Sequence, residues 1–470
     1  MTTLAATVFE SVGPWVERLT WDDVPDRARQ SAQHAVLDFL GVAVAGSGHE
    51  LAGKVLGYLE TTQLLGDDSS GLIGRAERAG PEGAALFNAV VGHVLDFDDS
   101  SDTLGGHPTV VVLPPLLALA GTRQVGGREL LTAYAAGVEV AAHLANQVNI
   151  AHYERGWHPT ATLGVFGGAA ASAKLLGLDA DGVAAALSIA AAFPSGLRAH
   201  FGTHMKSVQV GAAARDGLAA ALLAAAGVRG DPAAFEADQG FGVAYNGEDG
   251  FRRAAFDSSA DRTWDLVDPG LVVKQYPCCA SAHPAVDAAR DLLAEVPGDT
   301  DIETIRVRLH PRRLRHTDNP APATPLEAKF SVQYLVATAL HTGSVTLGDF
   351  TPEALVRPEV GALLARTRTE PFPPEEYGPD HYAGEVVLEL ADGSTHRRRV
   401  EKARGRGTKL ALSDEEITAK FRACVAPVLG GTAADAIVEA VATLPSSADV
   451  GEVIDLVTTA PDPISPVDSP

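Results

Sequence analysis

Two short segments of the chain place histidines beside residues that can hold or move a proton. The first reads HVLDFDDSSDTLGGHPT and includes Asp96 and His107. A histidine side chain titrates near neutral pH, so His107 is suited to act as a general acid or base, with Asp96 or a neighbouring carboxylate orienting it. The alternative is a solvated acidic loop at the end of a helix, with no chemical role.

The second segment reads GWHPTATLG and contains His158. The proline that follows disfavours helical backbone at His158 itself, and the run of small residues beyond it predicts a helix. The imidazole would then lie near a helix N-terminus, where anions are favoured, and His158 in its charged form could bind a carboxylate. The alternative is an ordinary loop histidine with its hydrogen bonds satisfied.

Two lysines stand in apolar surroundings, where a lysine is seldom buried without a partner. Lys206 lies in FGTHMKSVQV before a predicted helix, and Lys274 lies in VVKQYPCC. Lys206 could instead be a surface lysine on a loop. Together the two lysines, the two histidines and a carboxylate could bind two or three carboxylate groups and transfer a proton.

Composition limits the partners that such a site could have. The 470 residues carry a net charge of -23, which opposes binding to nucleic acid or to an anionic membrane. There is no glycine-rich phosphate loop, so no nucleotide cofactor is implied, and there is no cysteine spacing typical of a metal site. No secretory signal is evident and no apolar run approaches the roughly 20 residues of a membrane span, which predicts a cytoplasmic protein.

The elements that must position these residues are mostly helices. Residues 1–270 repeat apolar positions at helical spacing, and helical patterns return at 404–458. Between them, residues 271–403 mix helical and alternating patterns, which predicts a smaller α+β domain inserted into a large all-helical one. Residues 459–470 are rich in proline and aspartate and are predicted to be a disordered tail.

Local signals predict three particular boundaries. The helix containing HAVLDFLGVAVAG should end near Gly46. Strands in DIETIRVRLH and EVVLELADGSTHRRRVE should include a hairpin that turns at Asp392-Gly393 with the paired positive φ angles of a type I′ turn. Ser413, followed three residues later by Glu416, should cap a helix through a capping box.

Seven blocks in order make the sequence similar to the MmgE/PrpD family. They read DFLGVAVAGS, HVLDFDDS, GGHPTVVVLPPLLALA, GWHPTATLG, GTHMKSVQVGAAARDG, VVKQYPCCASAHPAVDAA and EAKFSVQY. The resemblance runs from about residue 30 to residue 425. It implies a large helical domain made from both ends of the chain, a smaller inserted lid domain, a homodimer and no cofactor.

The resemblance also implies a function, a lyase acting on a small polycarboxylate by proton abstraction or donation. We expect first a 2-methylcitrate dehydratase-like hydro-lyase. A cis-aconitate decarboxylase-like or iminodisuccinate epimerase-like activity is the alternative within the family.

Carried over by matching motifs, the family's site falls on residues of both predicted domains. The catalytic group is His107 with Asp96 and Lys274, and the substrate-binding group also includes Ser100, His158, Lys206 and His316. Ser100 replaces a threonine of the decarboxylase branch, and His316 stands where that branch has a tyrosine. Substrate preference is therefore expected to depend on these two positions.

Two readings from other classes compete with a lyase. Asp98 to Asp102 spell D-D-x-x-D, the metal-binding run of helical isoprenoid synthases. Such an enzyme needs a second metal motif and an aromatic-lined cavity, whereas aromatic residues make up only 6% of this chain. The other alternative is a helical binding protein that has lost its catalytic activity. This chain retains a cationic residue at every position where the family's site has one, which counts against that alternative.

Overall fold

The structure is a computed structural model that describes residues 6–296, 301–377 and 382–458. The chain divides into two compact units, one made of residues 1–273 and 412–470 and the other of residues 274–411. The predicted tail, 459–470, lies outside the described residues.

The first unit is built mainly from helices whose buried faces are rich in alanine, glycine and valine. Its helices up to residue 273 are α1 Val8–Arg18, α2 Asp26–Gly46, α3 Glu50–Thr61, α4 Pro81–His93, α5 Thr109–Ala120, α6 Gly127–Val148, α7 Ala151–Glu154, α8 Pro159–Thr162, α9 Gly164–Leu175, α10 Ala180–Ala190, α11 Met205–Ala225 and α12 Phe241–Asn246. At its centre α11 packs against α4 and α9, and α9 packs against α6. The predicted end of α2 at Gly46 is confirmed.

Two short antiparallel ribbons in this unit were not predicted. One pairs β1 Leu65–Gly71 with β2 Arg78–Ala79, and the other pairs β3 Ser100–Ser101 with β4 Leu271–Val272. Three of the four strands have only two residues, too few to show an alternating pattern, and β1 reads LGDDSSG without alternating apolar residues. The second ribbon matters for the site because it fixes the backbone at Ser100.

The second unit combines a four-stranded sheet with helices. The helices are α13 His283–Glu295, α14 Pro311–Thr317, α15 Pro325–Ala328, α16 Val332–Thr342, α17 Pro352–Leu355 and α18 Pro358–Arg366, and the strands are β5 Ile302–Leu309, β6 Thr367–Pro371, β7 Gly384–Leu390 and β8 Thr395–Val400. The strand order is β6-β5-β7-β8, with β5 parallel to β6 and antiparallel to β7. Helix α13 covers β7 and β8. Alternate residues of β5 are buried, as its sequence pattern predicts.

The hairpin of β7 and β8 forms as predicted, but its turn is of another type. Gly393 has a φ of +86°, whereas Asp392 is not among the described residues with positive φ. Gly393 donates its N–H to the Leu390 oxygen, and Leu390 donates to the Ser394 oxygen. This pattern is a tight turn followed by a left-handed glycine, which needs positive φ at one residue and not two.

The chain returns to the first unit through α19 Asp414–Leu429, α20 Gly431–Ala442 and α21 Gly451–Val457. Helix α19 packs along α2. The predicted capping box is confirmed, because the Ser413 hydroxyl accepts from the Glu416 N–H and the Glu416 carboxylate accepts from the Ser413 N–H. The predicted class, mostly helical with a smaller α+β domain, is confirmed.

One helix among the described residues, α11, has the length and mean hydropathy of a membrane span. Within the apolar window of this helix, 56% of the residues are buried inside the protein. Central helices of globular domains have the same composition, so the finding is weak evidence for a span. The sequence prediction concerned uninterrupted apolar runs, and in α11 Lys206, Arg215 and Asp216 interrupt the apolar run without interrupting the helix.

Small residues let the central helices approach closely, as the alanine- and glycine-rich sequence predicts. A Cβ added to Gly137 of α6 would lie 2.6 Å from the Gly167 oxygen, and one added to Gly167 of α9 would lie 2.9 Å from the Gly137 oxygen. No side chain fits between these two backbones without moving a helix.

We expect the substitution Gly137→Ala to lower the free energy of unfolding by about 1–3 kcal/mol, since it overpacks a filled contact. The matched control is Gly53→Ala in α3, where an added Cβ meets nothing within 4 Å. That control should raise stability by up to about 1 kcal/mol, because alanine is the better helix former. Urea denaturation followed by circular dichroism measures both. Equal effects of the two substitutions would contradict the packing argument.

Candidate active site

The turn that follows α4 carries Asp96 in a left-handed conformation, with a φ of +53°. Few non-glycine residues adopt this conformation, although aspartate and asparagine tolerate it best. The Asp96 carboxylate lies 2.6 Å from the Lys206 ammonium, and both side chains are almost fully buried. Lys206 stands in the first turn of α11. The helix and the turn are thus joined at the site by a buried ion pair.

A second carboxylate from the same turn, Asp98, lies between two histidines. One of its oxygens lies 2.8 Å from His93 Nδ1 and 3.2 Å from His107 Nδ1. The sequence predicted that Asp96 or a neighbouring carboxylate orients His107, with Asp96 preferred, and the carboxylate in that position is the neighbour, Asp98. Asp96 pairs with Lys206, and the turn directs Asp98 toward His107 instead.

The hydrogen bonds of His107 decide which ring nitrogen can exchange a proton. Its Nδ1 lies 2.7 Å from the main-chain oxygen of Asp99, which can only accept a hydrogen bond. Nδ1 must therefore carry hydrogen, and in neutral His107 the lone pair is on Nε2. The arrangement makes Nε2 the atom through which His107 can take up or donate a proton.

Charge within this group is set by burial and by hydrogen bonding. Burial alone would raise the pKa of Asp98, but the nearby His107 and His93 outweigh it and hold that pKa well below its ordinary value. Burial lowers the pKa of His93 to about 4, although Asp98 opposes the shift. At neutral pH the group therefore contains an ionised Asp98 and a neutral His93.

His158 caps the short helix α8 in extended backbone, as the following proline predicts. The residue is 2% exposed, and its ring lies 6.0 Å from that of His93 and 5.0 Å from that of Phe201. Burial, together with His93 and Lys206, lowers the pKa of His158 well below its ordinary value. The predicted role as a charged carboxylate ligand is corrected: His158 is neutral at neutral pH, because the folded protein removes it from water.

A tightly held loop places His107. Ser101 exchanges backbone hydrogen bonds with Gly106 and Gly105, and the Asn149 amide donates to two carbonyls of the same loop. The His107 N–H donates to the Thr160 hydroxyl at 3.1 Å. A Cβ at Gly106 would lie 2.7 Å from the Thr160 backbone nitrogen, so only glycine lets the loop approach α8 this closely.

Asp99, next to Asp98, belongs to the protein core. Its carboxylate accepts a hydrogen bond from the Thr109 hydroxyl, which also contacts the Tyr134 hydroxyl at 2.6 Å. Burial raises the pKa of Asp99 to about 8. The D-D-x-x-D run therefore does not present a set of free carboxylates, because Asp98 is bound by histidines and Asp99 by Thr109.

The remaining predicted site residues are described by their contacts within their own units. Ser100 pairs through its backbone with Val272. Lys274 is the first residue of the second unit and is 1% exposed. His316, on α14 of the same unit, has its Nε2 at 3.1 Å from the Ser281 hydroxyl. The structure thus brings Asp96, His107, His158 and Lys206 into one cluster in the first unit.

One group among the described residues has the geometry to hold a metal ion. His93, Asp98 and His107 each offer a ligand atom within 4.8 Å of the others. The Nδ1 atoms of both histidines contact the same Asp98 oxygen, and the Asp99 oxygen requires hydrogen on His107 Nδ1. The geometry is thus accounted for by a carboxylate shared between two imidazoles.

Comparison with known proteins gives this cluster its context. The profile of the MmgE/PrpD N-terminal domain matches residues 10–254, and that of the MmgE/PrpD C-terminal domain matches residues 276–445. The chain belongs to the MmgE/PrpD family. The predicted resemblance is therefore confirmed over most of the chain.

Relatives within the family have two named activities. The chain is 30% identical over 454 residues to a cis-aconitate decarboxylase of Homo sapiens, covering 93% of this chain and 92% of the relative. It is 26% identical to a cis-aconitate decarboxylase of Aspergillus terreus, covering 96% and 95%. It is 25% identical to a 2-methylcitrate dehydratase of Salmonella typhi, covering 78% and 79%. These relatives confirm the prediction of a lyase.

Sequence reasoning missed three residues of the cluster. His93 and Asp98 lie in the acidic segment but were not assigned to the site, since the sequence does not show which of its carboxylates and histidines contact one another. Gln209, which contacts His158 Nδ1 at 2.5 Å, was not noted at all. Its position three residues after Lys206 on one helix was the available signal, because residues at that spacing share a face.

The Asp96–Lys206 pair gives a stability prediction. Asp96→Asn keeps a residue that tolerates positive φ but removes the carboxylate from the buried ammonium. We expect the free energy of unfolding to fall by about 3–5 kcal/mol, the usual cost of removing one partner of a buried pair. Glu50→Gln, in the exposed pair of Glu50 with Lys54, should change stability little. A loss in Glu50→Gln as large as in Asp96→Asn would refute the role of burial.

Asp99 gives a prediction for pH dependence. Its pKa is about 8 when folded and near 3.8 in the unfolded chain, so the folded state binds the extra proton between these values. The contribution of Asp99 to the free energy of unfolding is fully present below about pH 4. It is lost as pH rises toward 8, at a rate of at most about 1.4 kcal/mol per pH unit. We expect Asp99→Asn to gain stability relative to wild type between pH 5 and pH 8. Urea midpoints at several pH values measure the difference, and a difference independent of pH would contradict the argument.

Proposed function

We propose that this protein is a lyase that decarboxylates cis-aconitate or a closely similar tricarboxylate. The observation that carries the proposal is His107, whose Nδ1–H is held by Asp98 and the Asp99 oxygen so that Nε2 can transfer a proton. Sequence analysis placed dehydration first. The decarboxylase relatives align over more than nine tenths of the chain and the dehydratase over 78%, which favours decarboxylation.

The proposed reaction balances with one proton. The bond between the methylene carbon of cis-aconitate and its carboxylate breaks and releases CO2. The electron pair forms a new double bond at the methylene carbon, and the former double bond shifts its electrons onto the vinylic carbon. That carbon accepts a proton and becomes a methylene group, which leaves an unsaturated dicarboxylate.

The residues of the cluster supply what this reaction needs. His107 in its charged form carries hydrogen on both ring nitrogens. It donates the Nε2 proton to the vinylic carbon and is left as the neutral Nδ1–H ring. The Lys206 ammonium binds a substrate carboxylate while keeping Asp96, since an ammonium has three donors. Charge that develops next to a carboxylate is stabilised most strongly where water is excluded, and Lys206 is buried.

Dehydration of 2-methylcitrate is the second candidate, favoured by the relatives named for it. In that reaction neutral His107 would accept, through Nε2, the proton next to a carboxylate.

The substrate-binding roles predicted for Lys274, Ser100 and His316 stay predictions. So do the homodimer, the cytoplasmic location and the independence of any cofactor.

The decisive experiment follows the purified full chain by proton NMR in D2O without added metal. The panel is cis-aconitate, 2-methylcitrate, citrate and iminodisuccinate, which separates decarboxylation, dehydration and epimerisation. We expect cis-aconitate to give CO2 and a dicarboxylate with one deuterium in the new methylene group. Turnover of none of the four would reject the proposal, and water loss from 2-methylcitrate alone would favour the second candidate.

Three variants test the residue roles on whichever substrate reacts. His107→Gln should lower kcat by about 10²–10⁴-fold, the range for loss of a general acid or base. Asp98→Asn should lower kcat by a larger factor than it changes KM, because it disturbs the protonation of His107. His34→Gln, at a histidine paired with Asp414, is the control and should leave kcat unchanged. Unchanged turnover in His107→Gln would remove His107 from the mechanism.

A further inference from the structure

The side chain of Gln209, in the second turn of α11, forms a bridge between His158 and the segment before α11. Its Nε2 lies 2.5 Å from His158 Nδ1. Its Oε1 accepts the Leu197 N–H at 3.0 Å, and its Nε2 also donates to the Leu197 oxygen at 3.3 Å. The side chain is 6% exposed, so the protein and not water determines its orientation.

The Leu197 backbone fixes the direction of the amide. A backbone N–H can only donate, so the Gln209 atom facing it must be the oxygen. In the reverse orientation, the amide NH2 would face the Leu197 N–H and two donors would meet. The Gln209 nitrogen is therefore the atom that faces His158.

The direction of the amide in turn fixes the tautomer of His158. An amide nitrogen donates, so His158 Nδ1 must accept and carries no hydrogen. The hydrogen of the neutral ring is then on Nε2. His158 thus has the opposite tautomer to His107, whose hydrogen is on Nδ1.

The surroundings of His158 oppose a second proton on the ring. The side chain is buried against the ring of Phe201, with Lys206 nearby. A cationic imidazole would lose hydration and would be repelled by the ammonium. The same conditions favour a neutral hydrogen-bond donor, a role that neutral histidines have in other enzymes that stabilise developing negative charge.

We propose that Gln209 is a positioning residue that holds His158 as the neutral Nε2–H tautomer, so that His158 donates a hydrogen bond to a carboxylate of the bound substrate. The proposal rests on the proposed function for the identity of the substrate. The tautomer itself does not depend on it. Gln209 touches neither substrate nor reacting atoms and acts through His158.

The first test is a direct measurement of the tautomer. Long-range proton–nitrogen NMR correlations of the histidine rings distinguish Nε2–H, Nδ1–H and the charged form, and His158→Gln assigns the signal. We expect wild-type His158 to be the neutral Nε2–H form from pH 5.5 to pH 8, with or without cis-aconitate. An Nδ1–H or charged His158 in this range would overturn the proposal even in a protein that turns over no substrate.

The second test is Gln209→Glu, which keeps the shape and the acceptor for the Leu197 N–H. A carboxylate beside His158 Nδ1 forces hydrogen onto Nδ1 and raises the pKa of the ring. At pH 8 the neutral ring would lose its Nε2–H, and we expect kcat for cis-aconitate to fall by more than about tenfold, since a wrong histidine tautomer can cost up to about 10⁴-fold. As pH falls the ring becomes charged, regains Nε2–H, and kcat should recover, a pH dependence absent from wild type.

The chain contains a matched control for this substitution. Gln147 of α6 accepts the Ala254 N–H through Oε1 and contacts His143 Nε2 through Nε2 at 3.1 Å. Gln147 is also buried. Burial lowers the pKa of His143 to about 4, a shift in the same direction as that of His158. Gln147→Glu therefore introduces the same charge beside a histidine that has no assigned role in the reaction.

The control separates positioning from general damage to the fold. We expect Gln147→Glu to keep the wild-type pH profile of kcat even if its stability falls. An identical loss of kcat and an identical pH profile in Gln147→Glu and Gln209→Glu would overturn the positioning role. If cis-aconitate is not a substrate, the proposed function fails, while the NMR measurement still decides the tautomer.

Discussion

The site depends on the burial of ionised carboxylates in a helical core that excludes water. A buried carboxylate is costly unless each charge is paired or hydrogen-bonded. Asp98 meets this condition by accepting from His93 and His107, and Asp96 meets it by pairing with Lys206. Because these partners come from different helices and loops, the carboxylates fix how α4, the His107 loop and α11 are arranged. The groups that compensate for the burial of these carboxylates are therefore the same groups that can bind a substrate carboxylate and transfer a proton.

Hydrogen bonds to backbone atoms give the two central histidines opposite protonation patterns. The Asp99 oxygen requires hydrogen on Nδ1 of His107, whereas Gln209, oriented by Leu197, requires a lone pair on Nδ1 of His158. One ring can thus exchange a proton at Nε2 while the other presents a fixed donor there. Burial keeps the second ring neutral, so most of the fixed positive charge in this cluster is on Lys206. This division suits a reaction in which a carboxylate is held and a carbon atom is protonated.

Most of the fold could be predicted from the sequence. The spacing of apolar residues indicated the helices of both chain ends and the mixed segment between them, and local signals located the end of α2 and the cap of α19. The type of turn at Gly393 and the two-residue strands could not be predicted. The type of turn depends on which residues of β7 and β8 pair next to it. Strands of two residues are too short to show an alternation of apolar and polar residues. Among the site residues, His107, His158, Lys206 and Asp96 were named from residue type and motif.

The sequence by itself determined which kinds of groups the site contains, because a histidine before a proline or a lysine among apolar residues is visible without coordinates. Only the tertiary structure decided which group contacts which. It assigned Asp98 rather than Asp96 to His107, made His158 neutral, and brought in Gln209 from a helix more than a hundred residues after Asp98. The physical reason is that charge and tautomer depend on distances of about 3 Å and on exclusion of water. Both are set by packing between segments that are far apart in the chain.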